Sequence, residues 1–407
     1  MFGVIEQLRA SVANHRDAMA ELTAKLVGID TENPPGRGYK KCLNIIGDAL
    51  EALGFVSRIE PVPGGDVDSS HPRFWLRSGL GEGERAVYFH GHVDVVPADD
   101  PSQFEPRVTD DTIFGRGSTD MKGGLVSMIY AMKALSEAGV ALDGKVALRI
   151  VPDEETGGAL GSRALTELGQ LVGDDAVAMF TAEPTGGTVW HASRGAITCR
   201  ITVKGRPSHV GLQYRGVNAF EKMLEVAAAL IRLKDEVEQR VTSYPLEPEQ
   251  ARHSILMMGG ETSGGRNFNV VPECFTFTVD RRINPEEDFG TERQRLLEVV
   301  RSAAESVEVD VDLDVFQEAR PAGVSETHPA AGSLARAIED VRGTPARFEL
   351  CPGILEIRFY AELGVPAFAY GPGLLSVAHG PKEFVKRRDL EDVAVVYALT
   401  AARLLSP

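Results

Sequence analysis

The sequence predicts an α/β protein in which a discontinuous domain, with a mixed, mostly parallel sheet between helices, is interrupted by an inserted α+β domain. Apolar runs of strand length alternate with helical spacing in the first half of the chain, and this rhythm returns near the C-terminus. The length of 407 residues also exceeds what one core ordinarily fills. We expect the first domain to comprise residues 1–191 and 319–407, and the inserted domain residues 192–318.

Helix and strand signals alternate over the first half of the chain. Met19, Leu22 and Leu26 recur at helical spacing, and this pattern ends at the Asn-Pro-Pro-Gly breaker of residues 33–36. The further predicted elements are a helix over 39–53, strands at 86–89, 145–151 and 177–180, a helix opening at 123–124 and a helix over about 160–171. Strands separated by helices favour a largely parallel sheet that is covered on both faces.

The middle of the chain has a different order. The predicted elements are a strand at 196–203, a helix at 216–238, strands at 253–259 and 274–283, a helix at 289–306 and a strand at 308–316. This βαββαβ order is that of the ferredoxin-like unit. A strand at 366–370 and a C-terminal helix over 389–405 then return to the first pattern, which is why we expect the first domain to be discontinuous.

Charge and composition argue against several classes of protein. Hydrophobic residues make up 43% of the chain and no apolar run approaches the length of a membrane span. A net charge of −16 argues against a nucleic-acid-binding surface. The N-terminus shows no apolar signal segment, and no CxxC pair occurs among Cys42, Cys199, Cys274 and Cys351. We expect a cytoplasmic protein with reduced thiols and with neither nucleic-acid nor membrane partners.

Five short segments place His, Asp or Glu at the end of a predicted strand or in the loop beyond it. They are HGHVD at 90–94, GSTD at 117–120, DEE at 153–155, AEP at 182–184 and AHG at 378–380. In open α/β sheets, ligands bind at this edge. A single strand-end Asp is more often a helix cap than a ligand, and two alternate histidines are more often a surface pair. Five such segments on one sheet predict a shared site.

The three carboxylates of residues 153–155 repel one another unless positive charge lies nearby. Two imidazoles with three or four carboxylates form a ligand set that suits a pair of borderline divalent ions such as Zn²⁺ or Co²⁺. Such cations would also supply the missing positive charge. The sequence therefore predicts a dinuclear metal site.

These segments resemble those of the co-catalytic zinc hydrolases that include acetylornithine deacetylase, succinyl-diaminopimelate desuccinylase, bacterial glutamate carboxypeptidase and the aminoacylases. The resemblance runs through nearly the whole chain. Its most specific parts are HGHVDVVP at 90–97, GRGSTDMKGG at 115–124, DEE at 153–155 and EPT at 183–185. The resemblance implies a dinuclear-metal hydrolase of amide bonds.

The resemblance implies metal ligands residue by residue. His92, Asp120 and Glu183 would bind one ion, and Asp120 would bridge to a second ion whose remaining ligands are Glu155 and His379. Zn²⁺ is the expected metal, with Co²⁺ or Mn²⁺ as alternatives.

The same resemblance implies the catalytic roles. Asp94 would accept the other ring N–H of His92 and fix its tautomer. Glu154 would be the general base that takes a proton from water and returns it to the leaving amine. His90 is the alternative to His92.

The inserted domain, implied to be a dimerisation or lid domain, carries further candidates. His209, in GRPSHVG at 205–211, matches a family histidine that reaches the substrate carbonyl oxygen, and that comes from the partner subunit in dimeric relatives; a surface His in a turn is the alternative. Asn269 and Arg282 resemble residues that bind the substrate carboxylate, with a rim salt bridge as the alternative for Arg282.

One segment departs from the family pattern. GILEIRFY at 353–360 keeps Arg358, but its LEI run is unusual, and Glu356 would favour a neutral or cationic part of the substrate if that loop contacts it.

The leading functional prediction is a hydrolase that removes an N-acyl group from an amino acid, acting as a homodimer through the inserted domain. A carboxypeptidase or dipeptidase with the same site is the close alternative, since both cleave an amide beside a free carboxylate. A metal-free binding protein on the same fold is a more distant one.

Overall fold

The computed structural model describes residues 2–64, 70–173 and 175–406. Its α-helices are α1 Phe2–Asn14, α2 Arg16–Val27, α3 Tyr39–Ala52, α4 Gly123–Glu137, α5 Ala164–Glu167, α6 Ala219–Val237, α7 Phe289–Ser306, α8 Pro329–Arg342, α9 Ile357–Glu362 and α10 Arg387–Leu404. Its strands are β1 Ser57–Pro61, β2 Phe74–Glu82, β3 Ala86–His92, β4 Arg107–Val108, β5 Thr112–Phe114, β6 Gly144–Val151, β7 Ala176–Thr181, β8 Thr188–Ser193, β9 Gly195–Lys204, β10 Ile255–Gly264, β11 Cys274–Ile283, β12 Val311–Ala319, β13 Ala322–Gly323, β14 Arg347–Cys351, β15 Ala367–Ala369 and β16 Phe384–Lys386.

The chain divides into two compact units. The first comprises Met1–His191, Val324–Glu349 and Phe359–Pro407, and the second comprises Ala192–Gly323 and Leu350–Arg358. The mixed sheet of the first unit and the separate antiparallel sheet of the second confirm the predicted fold class.

The sheet of the first unit has the strand order β1-β2-β6-β3-β7-β15-β8. Its four central strands, β6, β3, β7 and β15, run parallel to one another. Three pairs are antiparallel: β1 with β2, β2 with β6, and β15 with β8. Parallel pairing is therefore confined to the centre, where strands buried on both faces have continuous apolar runs of the kind that sequence patterns detect.

Helices α4 and α10 pack against this sheet as part of one large apolar core. Nearly every residue of α4 from Gly123 to Met132 is buried, and α10 buries Leu390, Val393 and Val396. Lys122, directly before α4, is also fully buried, and its ammonium group donates to the carbonyl oxygens of Leu26 and Ile29, at 3.0 and 2.9 Å. The ammonium group thus joins the end of α2 to the start of α4.

Several predicted boundaries differ from the structure. The helix expected over 160–171 is only α5, four residues long, because Gly158 has a positive φ and Gly161 has a non-helical backbone before it. Strand β2 was not predicted, since its sequence FWLRSGLGE has neither a continuous apolar run nor a regular alternation.

The second unit contains the predicted βαββαβ series as β9, α6, β10, β11, α7 and β12. Its antiparallel sheet has the order β10-β11-β9-β12, so that β10 and β12 are the edge strands. Helices α6 and α7 contribute Val226, Leu230 and Val300 to a core that they share with Ile201 and Val279 of the sheet. The pairing of β10 with β11 shifts register between Met258 and Thr262.

All four cysteines are free thiols. Within the described part of the chain, none of the helices has both the length and the apolar character that a membrane span requires.

The start of α4 provides a test of this packing. A Cβ added to Gly124 would lie 2.4 Å from the carbonyl oxygen of Ala182, which is rigid backbone at the end of β7. We expect Gly124→Ala to lower the free energy of unfolding of the metal-free protein by about 1–3 kcal/mol, because the Ala182 carbonyl group leaves no room for an added methyl group. Denaturant unfolding would measure it. The control Gly3→Ala, whose added Cβ meets nothing within 4 Å, should be neutral or stabilising; equal effects would contradict the packing argument.

Candidate metal centre and active site

The site begins at the end of β3, whose last residue is His92. The side chain of His92 is 1% exposed, and its Nδ1 lies 3.0 Å from the carbonyl oxygen of Asp94 and 3.4 Å from the Asp94 carboxylate. Because a carbonyl oxygen only accepts hydrogen bonds, Nδ1 carries a proton. In the neutral imidazole, Nε2 is then the nitrogen with a free lone pair, and it faces Asp120 and Glu183 at 3.4 and 3.8 Å.

The Asp94 carboxylate organises the turn after β6. It accepts hydrogen bonds from the backbone N–H groups of Glu154 and Glu155, at 3.2 and 3.1 Å, and from the Asn33 amide at 3.1 Å. Burial alone would raise the pKa of this carboxyl, but the hydrogen bonds from His92, Asn33 and the Glu155 N–H outweigh it and lower the pKa. Asp94 therefore fixes the backbone from which two consecutive glutamates project.

Two of the three carboxylates of residues 153–155, those of Asp153 and Glu155, have different partners. Asp153 has a positive φ of 72°, and its carboxylate accepts from Asn33, the Thr156 hydroxyl and the Leu160 N–H. Glu155 instead faces His379, with Oε2 3.2 Å from Nε2 of that ring. The like charges that are adjacent in sequence thus point to separate groups.

Asp120 lies between two imidazoles. Its Oδ1 is 3.4 Å from Nε2 of His92, and its Oδ2 is 3.2 Å from Nε2 of His379. Burial raises the pKa of this carboxyl, but the two histidines outweigh burial and lower the pKa below its ordinary value. Asp120 is placed beside His92 because Gly91 of β3 leaves room for Met121, whose side chain a Cβ on Gly91 would meet at 2.7 Å.

The remaining members are Glu183, which follows β7, and His379. Glu183 is buried, and burial together with the nearby Asp120 charge raises its pKa well above the ordinary value. His379 is half exposed and has a positive φ of 63°. Contacts with the carboxylates of Asp120 and Glu155 raise its pKa to about 10 against the opposing effect of burial.

The predicted ligands form two groups that share Asp120. Ligand atoms of His92, Asp120 and Glu183 lie within 4.8 Å of one another, as do those of Asp120, Glu155 and His379. Nε2 of His92 and Oε1 of Glu155 are buried and make no hydrogen bond. Contacts with Asp120 and Asp94 also outweigh burial at His92 and raise its pKa well above the ordinary value. These residues fit a pair of divalent cations.

His90 lies in neither of these groups. Its Nδ1 is 3.0 Å from the Tyr360 hydroxyl and its Nε2 is 3.4 Å from the Ser162 hydroxyl. Both ring nitrogens therefore have neighbours outside the cluster.

The other predicted site residues belong to the second unit. His209 is exposed, and its Nδ1 accepts a hydrogen bond from the Gly211 N–H at 3.1 Å. The backbone carbonyl oxygen of Asn269 accepts a hydrogen bond from the N–H group of Val210, the residue after His209. Arg282 is half-buried and pairs with Asp280 of its own strand at 2.8 Å, as a local salt bridge would.

Within the segment that departs from the family pattern, residues 355–360 are buried. Arg358 and Glu356 are each 2% exposed, and the Arg358 guanidinium donates to the Leu355 carbonyl oxygen at 2.8 Å.

Sequence reasoning missed two groups of supporting residues. Asn33, between the Asp94 and Asp153 carboxylates, was treated only as part of a breaker. Glu383, which accepts the N–H groups of Thr119 and Asp120 and pairs with Arg116, was not considered. An acidic residue four positions after His379, directly before β16, is the signal that could have identified Glu383.

Comparison with known proteins agrees with this geometry. The chain is 25% identical over 391 residues to a probable succinyl-diaminopimelate desuccinylase of Staphylococcus epidermidis, covering 90% of this chain and 92% of the relative. It is 27% identical over 394 residues to a succinyl-diaminopimelate desuccinylase of Methylobacterium radiotolerans, covering 94% and 95%.

Two solved structures are similar in fold. A dipeptidase from Saccharomyces cerevisiae, Dug1p, superposes with a TM-score of 0.76 at 15% identity and covers 99% of each chain. A dinuclear metal binding peptidase of the M20 family from Bacillus subtilis has a TM-score of 0.69 at 14% identity, covering 97% of this chain and 99% of that one.

These findings confirm the predicted family and the predicted class of enzyme, a metal-dependent hydrolase of amide bonds. The profile of the peptidase family M20/M25/M40 matches residues 88–403, well over half of the chain and all of the residues grouped around Asp120, and the protein therefore belongs to that family.

Proposed function

We propose that the protein is a dinuclear-metal amidohydrolase that removes an N-acyl group from an amino acid, in the manner of a succinyl-diaminopimelate desuccinylase. The observation that carries this proposal is the Asp120 carboxylate, 3.4 and 3.2 Å from the facing nitrogens of His92 and His379. The desuccinylase names of the relatives aligned over at least 90% of the chain support the N-acyl substrate class.

The proposed ligands are His92, Asp120 and Glu183 for one ion and Asp120, Glu155 and His379 for the other, and Zn²⁺ is the proposed metal. Divalent cations at such a site acidify water and polarise a carbonyl group. The protein's own part is to keep Nε2 of His92 available, through the Nδ1 contact with Asp94, and to hold the two glutamates by their N–H groups.

Glu154 is the proposed general base. Its backbone is held by Asp94, and its side chain is half-buried beside the proposed ligand Glu155. The Glu154 carboxylate would take a proton from the attacking water as the water oxygen bonds to the amide carbon. It would then deliver that proton to the amide nitrogen as the C–N bond breaks.

We also propose that His209, Asn269, Arg282 and Arg358 contact the substrate, as the family resemblance implies. Nδ1 of His209 accepts a hydrogen bond from the Gly211 N–H, and in the neutral ring the proton is therefore on Nε2. A donor of this kind on an exposed side chain suits a substrate carbonyl oxygen. The pairing of Arg282 with Asp280 means that a substrate carboxylate would have to compete with Asp280 for that guanidinium.

The alternative function is a carboxypeptidase or dipeptidase. Fold neighbours such as the yeast dipeptidase favour it, although at 15% identity that likeness concerns the fold. Both functions hydrolyse an amide bond beside a free carboxylate. They differ in the group that supplies the carbonyl carbon of that bond.

A substrate panel separates these two functions. We expect kcat/KM for N-succinyl-diaminopimelate and other N-acyl amino acids to exceed that for dipeptides, and all turnover to disappear on chelation and return with Zn²⁺. Hydrolysis with metal analysis is the measurement. A preference for dipeptides would establish the alternative, and a protein that binds no divalent metal would contradict both.

Glu154 can be tested independently of the metal ligands. We expect Glu154→Gln to lower kcat by about 10²–10⁴-fold, because an amide cannot take up the proton, while metal content stays at the wild-type level. Glu167→Gln, which changes an exposed glutamate on the nearby α5, is the matched control and should keep full activity. Near-normal turnover of the Glu154 variant would remove it from the mechanism.

We propose further that two copies associate through the second unit, along the edge strand β10. This edge exposes the apolar side chains Ile255 and Met257, which are 37% and 50% exposed. The other edge, β12, exposes Asp312 and Asp314, and self-pairing of that edge would bring acidic groups together. A cytoplasmic location remains a prediction of the sequence.

The edge strand makes this assembly testable. Met257→Lys should convert a dimer into a monomer, since it places like charges across a self-paired edge, and light scattering would measure the mass. Phe316→Lys, at a 52% exposed apolar residue of the opposite edge strand, is the control that should leave the dimer intact. A monomeric wild type, or dissociation caused only by the control substitution, would contradict the proposal.

A further inference from the structure

A buried ion pair lies beside the candidate metal centre. Nη1 of Arg116 is 2.8 Å from Oε2 of Glu383, and both side chains are 1% exposed. Removing two charges from water costs several kcal/mol per ion, on the order of what their attraction returns, so such a pair contributes little net stability. The pair also contacts the backbone of the proposed ligands Asp120 and His379, which suggests a different role.

Glu383 holds the chain segment that carries Asp120. Its Oε1 accepts hydrogen bonds from the N–H groups of Thr119 and Asp120, at 3.0 and 3.1 Å. The Thr119 hydroxyl in turn donates to the carbonyl oxygen of Phe384, the residue after Glu383. The position of the Asp120 backbone is therefore set by the Glu383 segment.

Arg116 holds the segment that carries His379. Its guanidinium donates to the carbonyl oxygens of His379 and Gly380, at 3.1 and 3.2 Å. His379 has a φ of 63°, a conformation that costs energy for any residue other than glycine and persists only where neighbouring groups enforce it. The Arg116 guanidinium supplies two such contacts through its hydrogen bonds to the carbonyl oxygens of His379 and Gly380.

The two halves of the pair thus connect ligands that come from distant parts of the chain. Asp120 and His379 approach to 3.2 Å, and the backbone of each is bonded to one member of the Arg116–Glu383 pair. By contrast, His92 ends a sheet strand and Glu183 follows another, so the sheet positions them directly.

We propose that Arg116 and Glu383 are positioning residues that set the separation of Asp120 and His379, and with it the affinity of the Asp120–Glu155–His379 metal site. This inference rests on the proposed dinuclear function and extends it to residues that contact neither the metal ions nor the substrate. It makes the two metal sites unequal: the Asp120–Glu155–His379 site takes two of its ligands from segments that this pair holds, whereas the His92–Asp120–Glu183 site takes only Asp120.

The test uses substitutions that keep size and, where possible, charge. Arg116→Lys keeps the positive charge but cannot reach two carbonyl oxygens and a carboxylate at once, and Glu383→Gln keeps the shape but presents an amide to Arg116. Metal affinity is measured by titrating the metal-free protein with Zn²⁺, and the visible spectrum is recorded with Co²⁺ in its place. Both readouts are independent of turnover.

We expect each variant to bind the second equivalent of metal about 10–100-fold more weakly than the wild type, the range seen when groups that orient metal ligands are changed. The loss of affinity for the first equivalent should be smaller, because only one ligand of that site, Asp120, is held by the pair. The Co²⁺ spectrum of the second equivalent should change correspondingly. Turnover should fall through kcat with KM little changed, and excess Zn²⁺ should restore part of it.

A matched control comes from the second unit. Arg281 is also 1% exposed and pairs with Glu287 and Glu292, at 2.6 and 2.9 Å, so Arg281→Lys disturbs an equally buried fork. It should lower stability to denaturant without changing either metal affinity. A similar loss of metal in this control would show a general effect of destabilisation and overturn the proposal.

The remaining outcomes separate the two levels of inference. A wild type that binds fewer than two metal ions contradicts the proposed function itself. A wild type that binds two, with Arg116→Lys and Glu383→Gln unchanged in affinity and spectrum, leaves the function standing and overturns the positioning role. Loss of the fold in both variants would make the pair a requirement for folding and would likewise overturn it.

Discussion

The candidate site depends on one carboxylate shared by two imidazoles, Asp120 between His92 and His379. Three carboxylates are brought together there with little access to water, and their mutual repulsion is strong where solvent does not screen it. The opposite pKa shifts show how the charge is divided: Asp120 is held ionised by the histidines, while burial and the Asp120 charge favour the protonated forms of Glu155 and Glu183. The arrangement is therefore short of positive charge, and divalent cations meet that need.

The surrounding fold keeps this group in place with hydrogen bonds to backbone. Asp94 accepts the N–H groups of Glu154 and Glu155, and Glu383 accepts those of Thr119 and Asp120. Each of these two carboxylates therefore holds the backbone of two consecutive residues, and not only one side chain. The reactive side chains can then point in different directions while their backbone stays rigid, which is what a site needs when neighbouring residues have different tasks.

The centre of the sheet and the grouping of the proposed metal ligands could be predicted from the sequence because both leave local signals. Strands buried on both faces give continuous apolar runs, and His92, Asp120, Glu155, Glu183 and His379 stand in short, specific motifs. The supporting residues could not be predicted in this way. Asn33, Arg116 and Glu383 act through contacts with groups far away in the chain. Asn33 donates to the Asp94 and Asp153 carboxylates, and Arg116 and Glu383 bind backbone groups of His379 and Asp120.

The short segment Leu350–Arg358 has a consequence for how the second unit can be studied alone. It clusters with Ala192–Gly323, where Leu350 packs with Ala192 and Leu246 and donates its N–H to the Pro245 carbonyl oxygen at 2.7 Å. A fragment cut from Ala192 to Gly323 would lack this piece and leave an apolar seam open to water. Producing the unit as an independent polypeptide would require circular permutation or a designed linker that restores the missing strand residues.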